Sequence, residues 1–410
     1  MGSSRSDTGD SSPIKRAAKR LLPHVLNTPL KRSDALSRWF GDSIYLKLEN
    51  LQRSGSFKIR GATNAILKHE ERAREHGVIT ASAGNHAQGV AFAADLIGCR
   101  ARIVMPENTP DNKVMATRDL GAEVILSGEN YDEAYEEVLR RSAEGDQLII
   151  HPYDDPDVIA GQGTVGREIE RAGAELDWLI VPVGGGGLLA GITTWMKEHK
   201  PELRLFPAQC EEASSLEKAR EMGKPERIVP PTTIAEGIAT GEVGETSFEM
   251  IKNAVEPTLL VDDDEIIVAL KDLLEFDKVA AEGAGAVPLA ALRRYRERLP
   301  DGPGGLLISG GNLDVLETIH FLERGLRSDG RLIRLATELT DRPGALSDLA
   351  ELIGRKGGNI QFIHHDRSDL GVGARRAKVH IEVSVRSRQD GQRLLESLRK
   401  EGYTIDLLEI

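Results

Sequence analysis

Short aliphatic runs of strand length alternate with segments of helical periodicity along most of this chain, and that alternation limits the fold more than any other feature. The runs are Ser43–Leu48, Val78–Thr80, Ala101–Met105, Glu123–Leu126, Leu148–Ile150, Trp178–Val183, Leu205–Cys210 and Leu306–Ile308; Tyr131–Ser142 is one of the helical segments between them. Parallel strands need long crossovers, usually helices, which then cover both faces of the sheet. The expected class is therefore α/β with open twisted sheets. In such sheets ligands sit at the carboxyl ends of the strands, so the turns after strands are the places to search.

The pattern changes after about Arg327. Ile333, Leu335, Thr337 and Leu339 alternate with Arg334, Ala336 and Glu338, which predicts a strand with one buried face. Asp341-Arg342-Pro343-Gly344 predicts a turn. Leu346, Leu349, Leu352 and Ile353 predict a helix ending at Gly357-Gly358. A strand near Ile360–Ile363, one through Val379–Val385, a helix at Leu394, Leu395 and Leu398, and a last strand at Ile405 and Leu407 complete a βαββαβ order. That order predicts a ferredoxin-like module over 331–410. The body then spans 13–327, after a polar tail of residues 1–12.

Acidic residues outnumber basic ones 65 to 53, a net charge of −12. The excess lies before the module, because Arg331 to Ile410 carries 14 bases and 12 acids. An acidic body repels phosphate backbones, which argues against nucleic acid as a partner. No apolar run reaches the ~18 residues of a membrane-spanning helix, so no membrane role is expected. Aromatic residues make up only 4%, so the core must be aliphatic. The two cysteines, Cys99 and Cys210, cannot staple a chain of this length and are not spaced as a metal pair. A reducing, cytoplasmic compartment is the simplest expectation.

Three segments are candidates for chemistry, although a lysine such as that of the second is ordinarily a solvated surface residue. In the first, Val181-Pro182-Val183 runs into Gly184-Gly185-Gly186-Gly187, and Leu188-Leu189-Ala190 opens a helix. Consecutive glycines let several backbone N–H groups face one anion at a helix N-terminus, and phosphate is the natural ligand. No Gly-Lys-Ser/Thr follows, which excludes a nucleotide-hydrolysing loop. A dinucleotide site remains a rival here: Gly185-x-Gly187-x-x-Ala190 fits the loose fingerprint, with Glu211 ending the next strand. In the second, Lys58 sits between Phe57 and Ile59 just before a helical pattern, where an amine partly shielded from water is eased toward its neutral, nucleophilic form. In the third, Ala81-Ser82-Ala83-Gly84-Asn85-His86 lies between a strand and a helix and suits a carboxylate. A small-residue turn capped by Ser82 or Asn85 would read the same way.

Taken together, these segments resemble the pyridoxal-phosphate lyases of the tryptophan-synthase β-like fold (fold type II), specifically the threonine/serine dehydratases. The residues that carry the resemblance are Thr28-Pro29-Leu30, Lys47 to Gln52, Ser56 to Ala62, Ser82 to Gly89, Gly184 to Leu188, Glu282 to Ala286 and Ser309-Gly310-Gly311-Asn312. The C-terminal module resembles an ACT domain.

The resemblance implies a two-lobed body with its smaller lobe at about 55–155, and it displaces the dinucleotide reading. It implies that Lys58 holds pyridoxal 5'-phosphate as a Schiff base and that Asn85 meets the ring hydroxyl. Gly184, Gly185, Gly186, Gly187 and Leu188 would hold the phosphate, and Ser309 would face the pyridine nitrogen. Glu282 would line the pocket, while Ser82, Asn85 and His86 would take the substrate carboxylate. The implied reaction converts L-threonine to 2-oxobutanoate and ammonia, and L-serine to pyruvate. Glu211, Ser215 and Glu217 match the place of a structural cation (Mg²⁺, Ca²⁺ or K⁺) in relatives. Asp341, Arg342, Pro343, Gly344, Ala345 and Leu346 match the effector turn of ACT modules, with isoleucine or valine as the expected ligand. A homotetramer or homodimer is expected. Serine racemases of this family carry a serine where this chain has Ala83. The alternatives are a serine-preferring dehydratase or racemase, and a non-catalytic amino-acid sensor.

Overall fold

Every strand expected from the alternation forms, within a residue or two, in a computed structural model that describes residues 12–229, 232–367, 373 and 375–408. Apart from Ser12, the polar tail lies outside the described residues. The chain divides into two units, at Leu313 and Asp314.

In the first unit, a six-stranded sheet runs in the order Leu30–Ser33, Ile44–Leu48, Gly304–Ile308, Trp178–Pro182, Arg204–Cys210 and Leu259–Val261. Only the first pair is antiparallel. A second, fully parallel sheet runs Glu123–Leu126, Ala101–Met105, Val78–Ala81 and Leu148–Ile149, and makes the smaller lobe. The central strands are buried along their whole length, as expected where helices cover both faces. Cores of Leu, Ile, Val and Ala fill both lobes. The two strands the alternation misses, Leu30–Ser33 and Leu259–Val261, lie at the sheet edges. The first holds one apolar residue and the second is three residues long, too little pattern to read.

Register decides what meets at the strand ends. Leu306 pairs with Ile180, and Ile308 pairs with Leu48. Ser309 therefore leaves the sheet beside the tetraglycine turn on one side and beside Glu49 on the other.

The second unit, taken by itself, is a four-stranded antiparallel sheet in the order Asn359–Asp366, Arg376–Ser384, Leu332–Thr340, Asp406–Leu407. Helices Ala345–Arg355 and Arg388–Lys400 supply Leu349, Ile353, Leu394 and Leu398 to its aliphatic core. This is the expected βαββαβ order. The helix Val315–Ser328 belongs to this unit as well: Arg327 donates to Glu382 at 2.8 Å. Reading by periodicity alone leaves that helix with the body, because the strand pattern begins only after it.

Candidate active site

Three helices open at one cleft. Lys58 is the first residue of the helix Lys58–Lys68, Asn85 of Asn85–Ile97 and Gly187 of Gly187–His199. All three line a cleft with about 540 Å³ of empty space, continuous with solvent, together with Gly184–Gly186, Leu188, Glu282 and Ser309. Free N–H groups and the positive ends of three helices make the cleft a place for an anion.

The tetraglycine turn is shaped by close approach as well as by its freedom. Gly186 has φ +88°, the left-handed region. A Cβ at Gly185 would run into the Tyr153 ring, and one at Gly187 into the Tyr153 carbonyl. The turn is thus a cradle that any side chain would fill, with an aromatic wall on one side.

Lys58 Nζ donates to the Pro152 carbonyl at 2.9 Å and lies 5.4 Å from the centre of the Phe57 ring. Burial pushes its amine down to about 8, against the pull of Glu282. Burial pushes Glu282 up to about 7, against the hydrogen bond it accepts from Asn85 Nδ2 at 2.7 Å. A base and an acid that both titrate near neutrality share the cleft, a mark of functional sites.

Behind Lys58 stands a buried network of four charges. Arg60 donates from Nε and Nη2 to Glu49 at 2.7 and 2.8 Å, and from Nη1 and Nη2 to Glu168 at 2.7 and 2.8 Å. Lys47 donates to Glu168 and to the Thr28 carbonyl. Arg60 and Glu49 are fully buried. Burial works against the charge on Glu49, but Arg60 and then Lys47 hold its carboxyl below the ordinary range. The network ties the helix that starts at Lys58 to the strand that ends at Leu48. The Phe57 N–H donates to the Ser309 carbonyl at 3.1 Å and fixes the same junction from the other side.

The remaining expected residues lie elsewhere. Ser82 does not line the cleft; its hydroxyl accepts from the N–H groups of Gly84 and Ala87 at 3.2 Å each. His86 is buried, with Nε2 3.0 Å from the Ile150 carbonyl. Burial, followed by the Lys58 charge, pushes its imidazole down to about 3, so it stays neutral. Glu211 is half-exposed and paired with Arg294 at 2.7 Å. Ser215 is buried, and Glu217 has a buried carboxylate oxygen without a hydrogen-bond partner. Among the described residues, Cys210, Glu212 and Asp263 also bring their ligand atoms within 4.8 Å of one another.

In the second unit, Gly344 precedes the helix Ala345–Arg355, and Arg342 folds onto Asp348 at 2.7 Å. Asp341 pairs with Arg367 at 3.3 Å, while Ala345 and Leu346 rest on the module core. Pro343 is exposed in the same turn.

The sequence reading does not single out Tyr153, Gly237, Ile238 and Thr240, which also line the cleft. A signal exists for Tyr153, which follows the strand Leu148–Ile149 and so sits at the carboxyl end of a parallel strand. Gly237 and Ile238 lie in the single 3₁₀ turn Glu236–Ile238 and Thr240 just after it, a stretch too short to show a period.

Residues 21–310 match the profile of the pyridoxal-phosphate dependent enzymes, and residues 333–402 that of the ACT domain. An L-threonine ammonia-lyase of Geobacter sulfurreducens is 43% identical over 396 residues, covering 97% of this chain and 98% of its own. The processed form of threonine deaminase isoform 2 from Solanum lycopersicum has a TM-score of 0.72 at 36% identity, covering 77% of this chain and 89% of its own. Maize serine racemase has a TM-score of 0.72 at 32% identity, covering 77% of this chain and 97% of its own. Among the described residues no helix is long and apolar enough to cross a membrane. With a catalytic cleft at the strand ends of its body and a ferredoxin-like module after it, the chain belongs to the pyridoxal-phosphate dependent enzyme family and carries a C-terminal ACT domain.

Proposed function

We propose that this chain is a threonine ammonia-lyase, which removes water from L-threonine and releases 2-oxobutanoate and ammonia, and which takes L-serine to pyruvate. The observation that carries the reading is the meeting of Lys58, Asn85, Gly184–Leu188, Glu282 and Ser309 in one cleft. Their chemistry fits pyridoxal phosphate. The side-chain-free cradle Gly184–Gly187 at a helix N-terminus suits the phosphate, and the softened amine of Lys58 suits the carbonyl carbon. When bound, that cofactor supplies the electron sink for charge developing at the substrate Cα.

The chain's own groups supply the rest. With the cofactor bound, Asn85 would offer its amide to the ring hydroxyl. Ser309 would offer a neutral partner to the ring nitrogen, which would leave the sink weaker than an aspartate would. That suits elimination, where loss of the β-hydroxyl relieves the charge. Lys58, once free, takes the Cα proton; an amine at about 8 is partly neutral at pH 7. The substrate carboxylate falls to the turn Ser82–His86. Because His86 is neutral and turned to Ile150, that binding comes from backbone N–H groups at the helix start, that of Asn85 among them.

A second reading, a serine-preferring dehydratase or racemase, draws support from the likeness to maize serine racemase. Ala83 opposes racemisation, because it has no proton to give from the second face. The test is keto-acid formation by the purified holoenzyme from L-threonine and L-serine, with D-serine followed in parallel. Threonine turnover that vanishes in Lys58→Ala is expected. A protein that only racemises serine, or that turns over neither amino acid, overturns the assignment.

We further assign the ACT module to feedback by isoleucine, opposed by valine, at the turn Asp341–Leu346, and the enzyme to the first step of isoleucine synthesis. The free state of Cys99 and Cys210 supports a cytoplasmic site, and we assign the enzyme a homodimeric or homotetrameric state. The bare oxygen of Glu217 supports a cation bound by Glu211, Ser215 and Glu217, provided Arg294 gives up Glu211. Titrating isoleucine and valine against threonine turnover tests the regulation; an enzyme indifferent to both refutes it.

A further inference from the structure

Asn312 ends the turn Ser309-Gly310-Gly311-Asn312 and stands where three segments of the cleft wall meet. Its Nδ2 donates to Asn85 Oδ1 at 2.6 Å and to the Ser54 carbonyl at 3.0 Å, and lies 3.1 Å from Gln88 Oε1. Its backbone N–H donates to the Glu282 carboxylate. Gly55, at φ +73°, makes room for it, since a Cβ there would run into the Asn312 amide oxygen. The Gly311 N–H donates to the Gly55 carbonyl at 2.9 Å and closes the same contact.

The consequence falls on Asn85. A carboxamide has an acceptor end and a donor end. Asn312 occupies the acceptor end, so the nitrogen of Asn85 faces into the cleft. One of its protons goes to Glu282 Oε1 at 2.7 Å, and no other protein acceptor for that nitrogen is found among the described residues. The second proton is left for a ligand. Turning the amide over would set nitrogen against nitrogen at Asn312 and oxygen against the Glu282 carboxylate. The first contact is repulsive at any pH, and the second is repulsive whenever Glu282 is ionised.

We propose that Asn312 is a positioning residue that holds the Asn85 amide with its nitrogen, not its oxygen, toward the ring oxygen of the cofactor. The inference rests on the reading that this cleft holds pyridoxal phosphate. A ring oxygen that carries negative charge needs a donor, and only the fixed orientation of Asn85 provides one.

The variants that test it are Asn312→Asp and Asn312→Ala, each made alone and in an Asn85→Ala background. The holoenzyme is read by the visible band of its bound cofactor as a function of pH, and by kcat/KM for L-threonine. Aspartate keeps the shape of Asn312 but only accepts, so Asn85 turns its nitrogen outward to it. The ring oxygen then faces an acceptor, the visible band gives way to the shorter-wavelength form with a protonated ring oxygen, and kcat/KM falls about tenfold or more. Alanine removes the constraint without inverting it and does less harm. In the Asn85→Ala background the aspartate substitution changes neither readout by more than about twofold, because the two residues act as one unit.

A packing role predicts the opposite order, with isosteric aspartate milder than alanine. That order, or equal losses with and without Asn85, overturns the inference while the cofactor reading stands. A wild-type protein that forms no visible band with pyridoxal phosphate overturns both.

Discussion

Lys58 in the cofactor-free protein should react as an amine of pKa about 8, not as an ordinary lysine near ~10.4. Burial is the main cause, because the ammonium form loses water that the cleft does not replace. The position of Lys58 at the first turn of its helix adds to this, since the positive end of a helix opposes a cation. At pH 7 about one molecule in ten then carries the neutral amine, against about four in ten thousand for an ordinary lysine, a gain of about two hundredfold in reactive form. The assay is stopped-flow absorbance of covalent attachment between the cofactor-free protein and pyridoxal phosphate, at constant ionic strength, with Lys58→Ala as the blank. Below pH 8 the ammonium dominates, so the rate should rise about tenfold per pH unit. Above pH 8 it should level off. Glu282 holds the ammonium in place by its charge, so Glu282→Gln should move the midpoint to lower pH. A rate that still climbs tenfold per unit between pH 9 and 10, or a midpoint that Glu282→Gln raises, refutes the argument from burial and charge.

Gly185→Ala should weaken pyridoxal phosphate binding about 5- to 150-fold, because its Cβ meets the Tyr153 ring and overpacking costs about 1–3 kcal/mol. Adding Tyr153→Ala should restore part of the loss, read by absorbance titration; no restoration would mean that Tyr153 does not set the cradle. Arg60→Ala leaves Glu49 buried without its guanidinium and should destabilise the protein by about 3–5 kcal/mol in denaturant unfolding. A loss under 1 kcal/mol would show that water reaches the network. Glu282 titrates at about 7 in the folded chain and near 4.5 when unfolded. Its contribution to stability is complete below pH 4.5 and is lost as pH rises through 7. Without its cofactor, the wild type should therefore lose stability relative to Glu282→Gln over that window, a trend that thermal melts at several pH values would reveal or deny.

The fold is legible wherever a strand carries enough apolar residues to show its period. Ile44–Leu48, Ala101–Met105 and Trp178–Pro182 announce themselves because both faces are buried, so every position is apolar or must be explained. The alternation in Leu332–Thr340 and Arg376–Ser384 shows a sheet with one wet face, and it places a boundary near 330. The helix Val315–Ser328 escapes that boundary because helical periodicity does not say which unit a helix contacts, and this helix buries only Gly325. Membership of the C-terminal unit depends on contacts such as Arg327 with Glu382, which lie 55 residues apart.

The site divides along the same line. Asn85 and Gly184–Gly187 are readable because each sits where a strand gives way to a helix, Lys58 because apolar neighbours flank it at a helix start, and Ser309 through the family resemblance alone. Asn312 is readable as a residue of its turn but not in its role, which exists only once Ser54, Asn85 and Glu282 are brought to it. The network behind Lys58 has a faint signal. Lysines and glutamates are ordinarily solvated, so Lys47, Glu49, Arg60 and Glu168 draw no notice one by one. A strand covered on both faces, however, leaves no solvent for a charge, and Lys47 lies inside such a strand with Glu49 just past its end. Two buried charges of opposite sign there require buried partners. Arg60 stands two residues beyond the lysine that the cleft is built around. The rule that makes the strand readable also implies an ion pair reaching from it to the catalytic helix, and only the identity of the fourth member, Glu168, has to come from the structure.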